Sequence, residues 1–411
     1  MLKSDISIVG AGPAGSIAAL FLAKAGISCT LLDKATFPRD KICGDGISGW
    51  VLTVLQQLDP EFLQKLAAQP FLLHSYGIRI SSPNGKTLDL PFFNDNSMPE
   101  NLPPGFISRR LDFDNFMINE VKKNPQIDLR ENFEVKKYER TNSTITLTSG
   151  DGESVESKLV IFANGANSAF MKDPGGIVKD KKNTMTGIKT YYSGISGFHD
   201  QNYVELHFLK ELLPGYFWIF PLPNGWANVG VGLDQHRISK KKINLKKLMF
   251  DAIENEPHLR DRFKNAKQET RVEAYGLPLW DHRRPISGER FMLAGDAASL
   301  IDPVTGEGMG HAAISGMLAA KQAQKALEAG DFSENSLKSY DQHFYDRIGN
   351  ELNISAKIPK FIQHAWLFNG VMNRAVKSKV LQEKLSKAMT DLEVRKRLHE
   401  PSLYIRVLLG M

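Results

Sequence analysis

The run from Asp5 to Asp33 constrains the fold more than any other stretch. Asp5-Ile-Ser-Ile-Val9 reads as a short strand, and Gly10-Ala-Gly-Pro-Ala-Gly15 follows at once. Ser16 to Ala25 carries helical spacing, with Ile17, Leu20 and Phe21 on one side and the small Ala14 and Ala18 toward a sheet. Gly26 is a natural helix stop, and Ile27 to Leu32 reads as a second strand ending at Asp33. A strand, G-x-G-x-x-G, a helix, a second strand and an acid about 20 residues on form the dinucleotide-binding fingerprint in its required context. In that context Gly10 makes the tight turn, Gly12 lets a pyrophosphate reach the backbone, Gly15 allows close helix–strand packing, and Asp33 takes ribose hydroxyls.

A second unit of this kind lies near the other end of the chain. Phe291 to Ala294 is a short apolar run, and Gly295-Asp296 brings a carboxylate to its end. Pro303-Val-Thr-Gly-Glu-Gly308 then opens a helical pattern that continues to about Leu327. A glycine-rich helix start offers bare N–H groups and a favourable dipole to a ligand that carries or gains negative charge.

The chain between them changes character twice. Leu52 to Leu66 and Asp112 to Lys122 read as helices, and Val155 to Ala163 reads as a buried strand ending at Asn164-Gly165-Ala-Asn-Ser168. Tyr76-Gly-Ile-Arg-Ile and Thr87-Leu-Asp-Leu flank Asn84-Gly85, a hairpin signal foreign to a plain alternating layout. From Gly187 to Leu279 the pattern is β-rich, with Tyr216, Trp218 and Phe220 alternating on one side of a strand. Residues 335–411 read as helices interrupted at Pro359.

Size and composition suit a globular protein of two or three domains: 411 residues, 42% hydrophobic and 24% charged. No apolar run approaches the ~18 residues of a membrane span. The start Met-Leu-Lys-Ser-Asp has no secretion-signal pattern, and Cys29 and Cys43 cannot build a disulfide framework. These features predict a cytoplasmic protein. The net charge of +6 is concentrated at the end, where residues 357–411 hold eleven Lys/Arg against four Asp/Glu. Such a segment is either a solvated helix surface or a peripheral contact with anionic lipid. No nucleic-acid module is present, and His74, His207 and His311 lack metal-ligand spacing, so no metal site is expected.

Four marks in order resemble the para-hydroxybenzoate-hydroxylase-type flavoprotein superfamily, and within it the geranylgeranyl reductase family. They are Gly10-x-Gly12-x-x-Gly15 with Asp33; Pro38-x-x-Lys-x-Cys43-Gly; Gly215-Tyr-x-Trp-x-Phe-Pro221 with Asn228-Val-Gly; and Gly295-Asp296 with Pro303-x-x-Gly-Glu-Gly308. The resemblance implies an α/β fold. A discontinuous Rossmann-type FAD-binding domain (1–70, 105–175, 285–330) would carry an inserted antiparallel β-sheet substrate domain (71–104, 176–284) and a C-terminal helical segment (331–411).

It also implies a tightly bound FAD. Gly10, Gly12, Pro13, Ala14 and Gly15 would hold the pyrophosphate and Asp33 the adenosine ribose. Asp296 would meet the ribityl chain or pyrophosphate, and the helix start at Gly306, Gly308 and Met309 the flavin pyrimidine edge. Lys34, Arg39, Gly44, Val135, Asn164 and Gly295 complete the expected cofactor site. Arg110, followed by Phe113 and Asp114, matches an arginine that contacts FAD, with Arg109 the alternative. Cys43 would lie beside the flavin ring, or else be a small buried hydrophobe. With Tyr216 and Trp218 it is the expected catalytic pocket.

There are two departures from the family pattern. Asn164-Gly165 stands where an Asp-Gly pair is usual, and Asp45 stands where the reductases commonly have glycine. The first leaves the reductant open between NAD(P)H and another electron donor. The expected activity is reduction of carbon–carbon double bonds in an apolar, isoprenoid or lipid-like substrate, a role in lipid metabolism. The alternatives are a monooxygenase or halogenase acting on an aromatic or apolar molecule, and a flavoprotein without catalysis. Nothing in the sequence fixes the oligomeric state.

Overall fold

The computed structural model describes residues 1–92, 103–166 and 184–390. Asn167, Ser168, the boundary expected at residue 176 and the end of the basic tail lie outside the described residues.

The fingerprint folds as its pattern dictates. Strand Leu2–Val9 enters helix Pro13–Lys24, and strand Cys29–Leu32 pairs back onto it in parallel. These belong to a sheet ordered 287–288, 291–293, 154–162, 2–9, 29–32 and 127–130. All of its neighbours are parallel except the first pair. An edge meander, 135–140 and 145–149, joins it through Ser154–Phe162. The central strands are buried along their last four residues, Ile6–Val9 and Leu159–Phe162, as a sheet covered on both faces requires.

Helix Met309–Ala329 packs across helix Pro13–Lys24. A Cβ on Gly316 would sit 2.3 Å from the Ala14 carbonyl oxygen, so the small residues there set how closely the two helices approach. The single helix expected from Leu52 to Leu66 is two, Gly49–Leu58 and Pro60–Ala67. Pro60 cannot continue the first helix but suits the first turn of the second, and the Asp59 carboxylate caps that turn by accepting from Glu61 N–H.

A second sheet runs 267–268, 184–193, 226–234, 216–221, 204–207, 77–81 and 87–91, with 273–278 also on 184–193. The Asn84-Gly85 hairpin is present between Gly77–Ser81 and Thr87–Pro91. The family resemblance implies an antiparallel sheet, but Val204–His207 pairs with Gly77–Ser81 in parallel. These two strands are joined by a long excursion through the first sheet, which frees them from the antiparallel geometry of a hairpin. One face of this sheet packs Phe217, Ile219 and Val229 against Met249, Leu259 and Phe263. Helices from Glu334 to Thr390 complete the described chain; Pro359 opens one of them, Pro359–Ile362, rather than only breaking the pattern. Met372 and Ala375 pack with Ile78, Leu88 and Trp218.

Candidate active site

In the first sheet the strand order reverses between Leu2–Val9 and Ser154–Phe162. In open parallel sheets the crevice outside the carboxyl ends at such a point is where ligands bind. A cavity of about 1020 Å³ opens there, lined by Gly10, Asp33, Asn164 and Gly295 at the strand ends. The inner face of the second sheet closes it with Tyr216, Trp218 and Phe220.

The structure gathers the expected site residues around this cavity. Gly10, Gly12, Pro13, Ala14, Asp33, Lys34, Arg39, Cys43, Gly44, Arg110, Val135, Asn164, Gly295, Asp296, Gly306, Gly308 and Met309 all line it. Gly15 does not; its missing side chain serves packing, since a Cβ there would lie 1.8 Å from the Gly10 carbonyl oxygen. Gly10 has φ of +100°, and a Cβ would meet the Ala163 oxygen at 2.5 Å, so no other residue makes this turn without strain. Asp33 is tied first to the chain: its carboxylate accepts from Ala11 N–H at 2.7 Å and Ala35 N–H at 2.8 Å.

Arg110 rather than Arg109 is in the cavity wall. It is 2% exposed, and its guanidinium donates twice to Asp114, both at 2.7 Å. Arg39 donates to the same carboxylate at 2.5 Å. Burial alone would depress the Arg110 guanidinium, but Asp114 outweighs it and holds the charge. Arg109 instead pairs with Asp112 at a separate small hollow beside Pro70 and Trp226.

At the far half, Asp296 accepts from Lys41 Nζ at 3.1 Å, and that ammonium lies 4.8 Å from the Tyr275 ring centroid. Burial opposes the Lys41 charge, and Asp296 together with Tyr275 and Cys43 more than restores it. The helix that starts at Met309 has Gly308 at its N-cap, which offers no side-chain cap; the Glu307 carboxylate meets the Gly310 N–H instead. Glu307 accepts from Ser48 Oγ at 3.1 Å and from the Gly310 N–H. Burial raises its carboxyl above the ordinary value. Tyr216 O–H donates to the Thr305 carbonyl at 2.6 Å, fastening this loop to the aromatic strand.

Why Asn228-Val-Gly accompanies the aromatic strand is now apparent. Trp218 faces Gly230 across the sheet, and a Cβ on Gly230 would sit 2.3 Å from the indole. Trp218 Nε1 donates to Asn228 Oδ1 at 2.8 Å. Asn228 Nδ2 in turn donates to the Cys43 carbonyl at 2.8 Å and to Asp45 Oδ2 at 2.7 Å. Phe220 packs against the positions of Gly44 and Gly46. The aromatic wall and the Cys43 loop are therefore one hydrogen-bonded unit. Cys43 is partly buried in the cavity wall, whereas Cys29 is core, its thiol pushed up to about 12 by burial.

Sequence reasoning missed several residues of this wall. Lys41 and Asn228 stood in quoted motifs without a role, while Lys189 and Tyr275 in the wall, and Tyr191 behind it, carry no local signal. The histidines lie elsewhere: His207 pairs with Glu205, and His311 Nδ1 contacts the Leu300 carbonyl.

Taken together, a strand-end crevice, a glycine turn and two helix starts with glycine at the N-cap define a dinucleotide-cofactor site in a flavoprotein-type fold. A family model described as "FAD binding domain" matches residues 3–348. A menaquinone reductase of Mycobacterium tuberculosis is 31% identical over 327 residues, 78% of this chain and 76% of that protein. A digeranylgeranylglycerophospholipid reductase of Thermoplasma acidophilum is 28% identical, covering 84% and 83%. A solved structure from the same organism, described as geranylgeranyl bacteriochlorophyll reductase-like, superposes with a TM-score of 0.79 at 24% identity, covering 97% and 99% of the two chains. The chain belongs to the FAD-binding-domain flavoproteins, in the geranylgeranyl reductase-like family of FAD-dependent oxidoreductases.

The residues present fit FAD. The two N-caps, Gly12 and Gly308, carry no side chain and no side-chain cap bond. A Cβ on Gly12 would come no closer than 3.7 Å to a neighbour, Arg39 Nη2, so backbone faces open space there.

Proposed function

We propose that the chain reduces carbon–carbon double bonds of an isoprenoid or other lipid-like substrate. The observation that carries this reading is the aromatic wall Tyr216–Trp218–Phe220, hydrogen-bonded through Asn228 to the Cys43 loop on the wall of the same cavity. Bound FAD, once reduced by NAD(P)H or another electron donor, would supply the hydride. The chain's own residues supply position and field. The Gly10–Gly15 turn and Asp33 would hold the nucleotide end, with Arg39, Arg110 and Lys41 as cations along the wall. The N-terminus of helix Met309–Ala329 would stabilise negative charge on the ring. Tyr216, Trp218 and Phe220 would exclude water and grip an apolar chain. The names of the reductase relatives support a prenyl substrate.

The inserted sheet would serve as the substrate domain, and the C-terminal helices would bring the protein to its lipid. Trp366 is 70% exposed and Val380 62%, among the exposed cations Lys360, Lys377 and Lys379. Basic residues around exposed apolar side chains suit an anionic membrane surface. Among the described residues no helix is long and apolar enough to cross one. Co-sedimentation with anionic vesicles, weakening as salt rises, is expected; equal binding to neutral and anionic vesicles would count against it.

The catalytic reading is tested by mixing anaerobically reduced protein with a panel of prenyl lipids. The oxidised-flavin absorbance should return with the matching lipid and with no saturated analogue. Return only on admitting oxygen would favour the oxygen-using alternative.

A further inference from the structure

We propose that Asp45 is the acid that protonates the substrate in this reduction, an inference that rests on the reductase reading above. Asp45 lines the cavity two residues beyond Cys43. It is fully buried, and its backbone has φ of +73°, a left-handed conformation that favours glycine. Its Oδ2 accepts two hydrogen bonds, from Tyr191 O–H at 2.8 Å and Asn228 Nδ2 at 2.7 Å. Its Oδ1 is buried with no hydrogen-bond partner, and no ion pair among the described residues includes it. A fold rarely keeps a strained, buried, half-satisfied carboxyl without a use for it.

The two donors also decide where a proton sits. Both are directed at Oδ2, so a protonated Asp45 carries its O–H on Oδ1, the oxygen with no partner in the protein. The same donors stabilise the carboxylate left behind, which strengthens the acid. Burial raises the group to about 6, so a protonated fraction persists toward neutral pH. The charged and titratable groups facing it are Lys189, whose buried ammonium lies 3.9 Å from the Tyr191 ring, Tyr191 itself, Asp40 and Cys43. Arg109 acts beyond Tyr191, and Glu273 beyond Lys189.

The step balances simply. The double bond breaks its π pair; one carbon takes the hydride and the other takes the Asp45 proton, so two C–H bonds form. Asp45 becomes a carboxylate and recovers its proton from water. The two electrons derive from the donor that reduced the protein, dithionite in the assay.

The test compares wild type with D45N and D45G, the latter suited to the left-handed backbone. Reduced protein is mixed anaerobically with the prenyl lipid it turns over, from pH 5 to 9. Wild type should lose rate as pH rises above about 6. Both variants should retain FAD, fall by about 100-fold or more and lose that pH dependence. Infrared difference spectra of the oxidised protein give a second readout: a protonated-carboxyl stretch present at pH 5, lost as pH rises and absent from D45N. Y191F, lacking one donor to the carboxylate, should move both profiles to higher pH. A folded variant with near wild-type rate and pH profile, or no such infrared band, would overturn the assignment while leaving the reductase reading intact. A wild type that reduces no prenyl lipid would overturn both.

Discussion

Asp114 and Asp45 are both fully buried in or behind one cavity wall, and burial pushes both toward the neutral form. Neighbouring cations decide the outcome. Arg110 and Arg39 outweigh burial at Asp114 and hold it below its ordinary value. Among the described residues Asp45 has no ion pair, and burial wins. Replacing Asp114 by Ala would strand the Arg110 guanidinium, so D114A should lose about 3–5 kcal/mol by denaturant unfolding of the apoprotein. Asp45 predicts the opposite sign. Its folded value, about 6, lies above the ordinary 3.8, so its contribution to stability is complete below 3.8 and is lost as pH rises to about 6. D45N does not titrate. It should be more stable than wild type at pH 7–8 by up to roughly 3 kcal/mol, with the difference gone below about pH 4. A variant that is less stable at pH 8 would contradict this.

At the scale of elements, the pocket depends on register between two strands. Tyr216–Pro221 and Trp226–Asp234 pair so that Trp218 opposes Gly230 and Phe220 opposes Asn228. The alternation of aromatics was legible in the sequence because side chains alternate with period 2. The reason for Gly230 was not, because it needs the register. G230A would place a methyl 2.2 Å from the Ile188 carbonyl oxygen and 2.3 Å from the indole. The backbone of Thr184–Ser193 must then shift as well as Trp218, and Trp218 loses its bond to Asn228. G230A should retain FAD but be re-oxidised by the prenyl lipid about 10-fold or more slowly. Unchanged single-turnover rates would show that Trp218 does not shape the pocket.

Over the whole molecule, the two cofactor loops were legible although they lie far apart in the chain. Each is a local strand–turn–helix unit with its own glycine logic. The charged partners were not legible. Lys41 meets Asp296 across 255 positions, and Asn228 reaches Asp45 across 183. Such pairs follow from how distant loops and the two sheets come together in the fold, which no local spacing encodes. The parallel pairing in the second sheet has the same non-local origin: its two strands are joined by a long connection, where a hairpin rule does not apply. What unifies the molecule is a single cavity that both sheets line, one wall with glycine turns and cations, the other with aromatics. The most direct test of that account is the mass of the product. Anaerobic reduced protein incubated with a geranylgeranyl lipid should return a lipid heavier by two hydrogens for each double bond reduced. A lipid recovered unchanged across a panel of prenyl substrates, or one gaining oxygen or halogen, would contradict it.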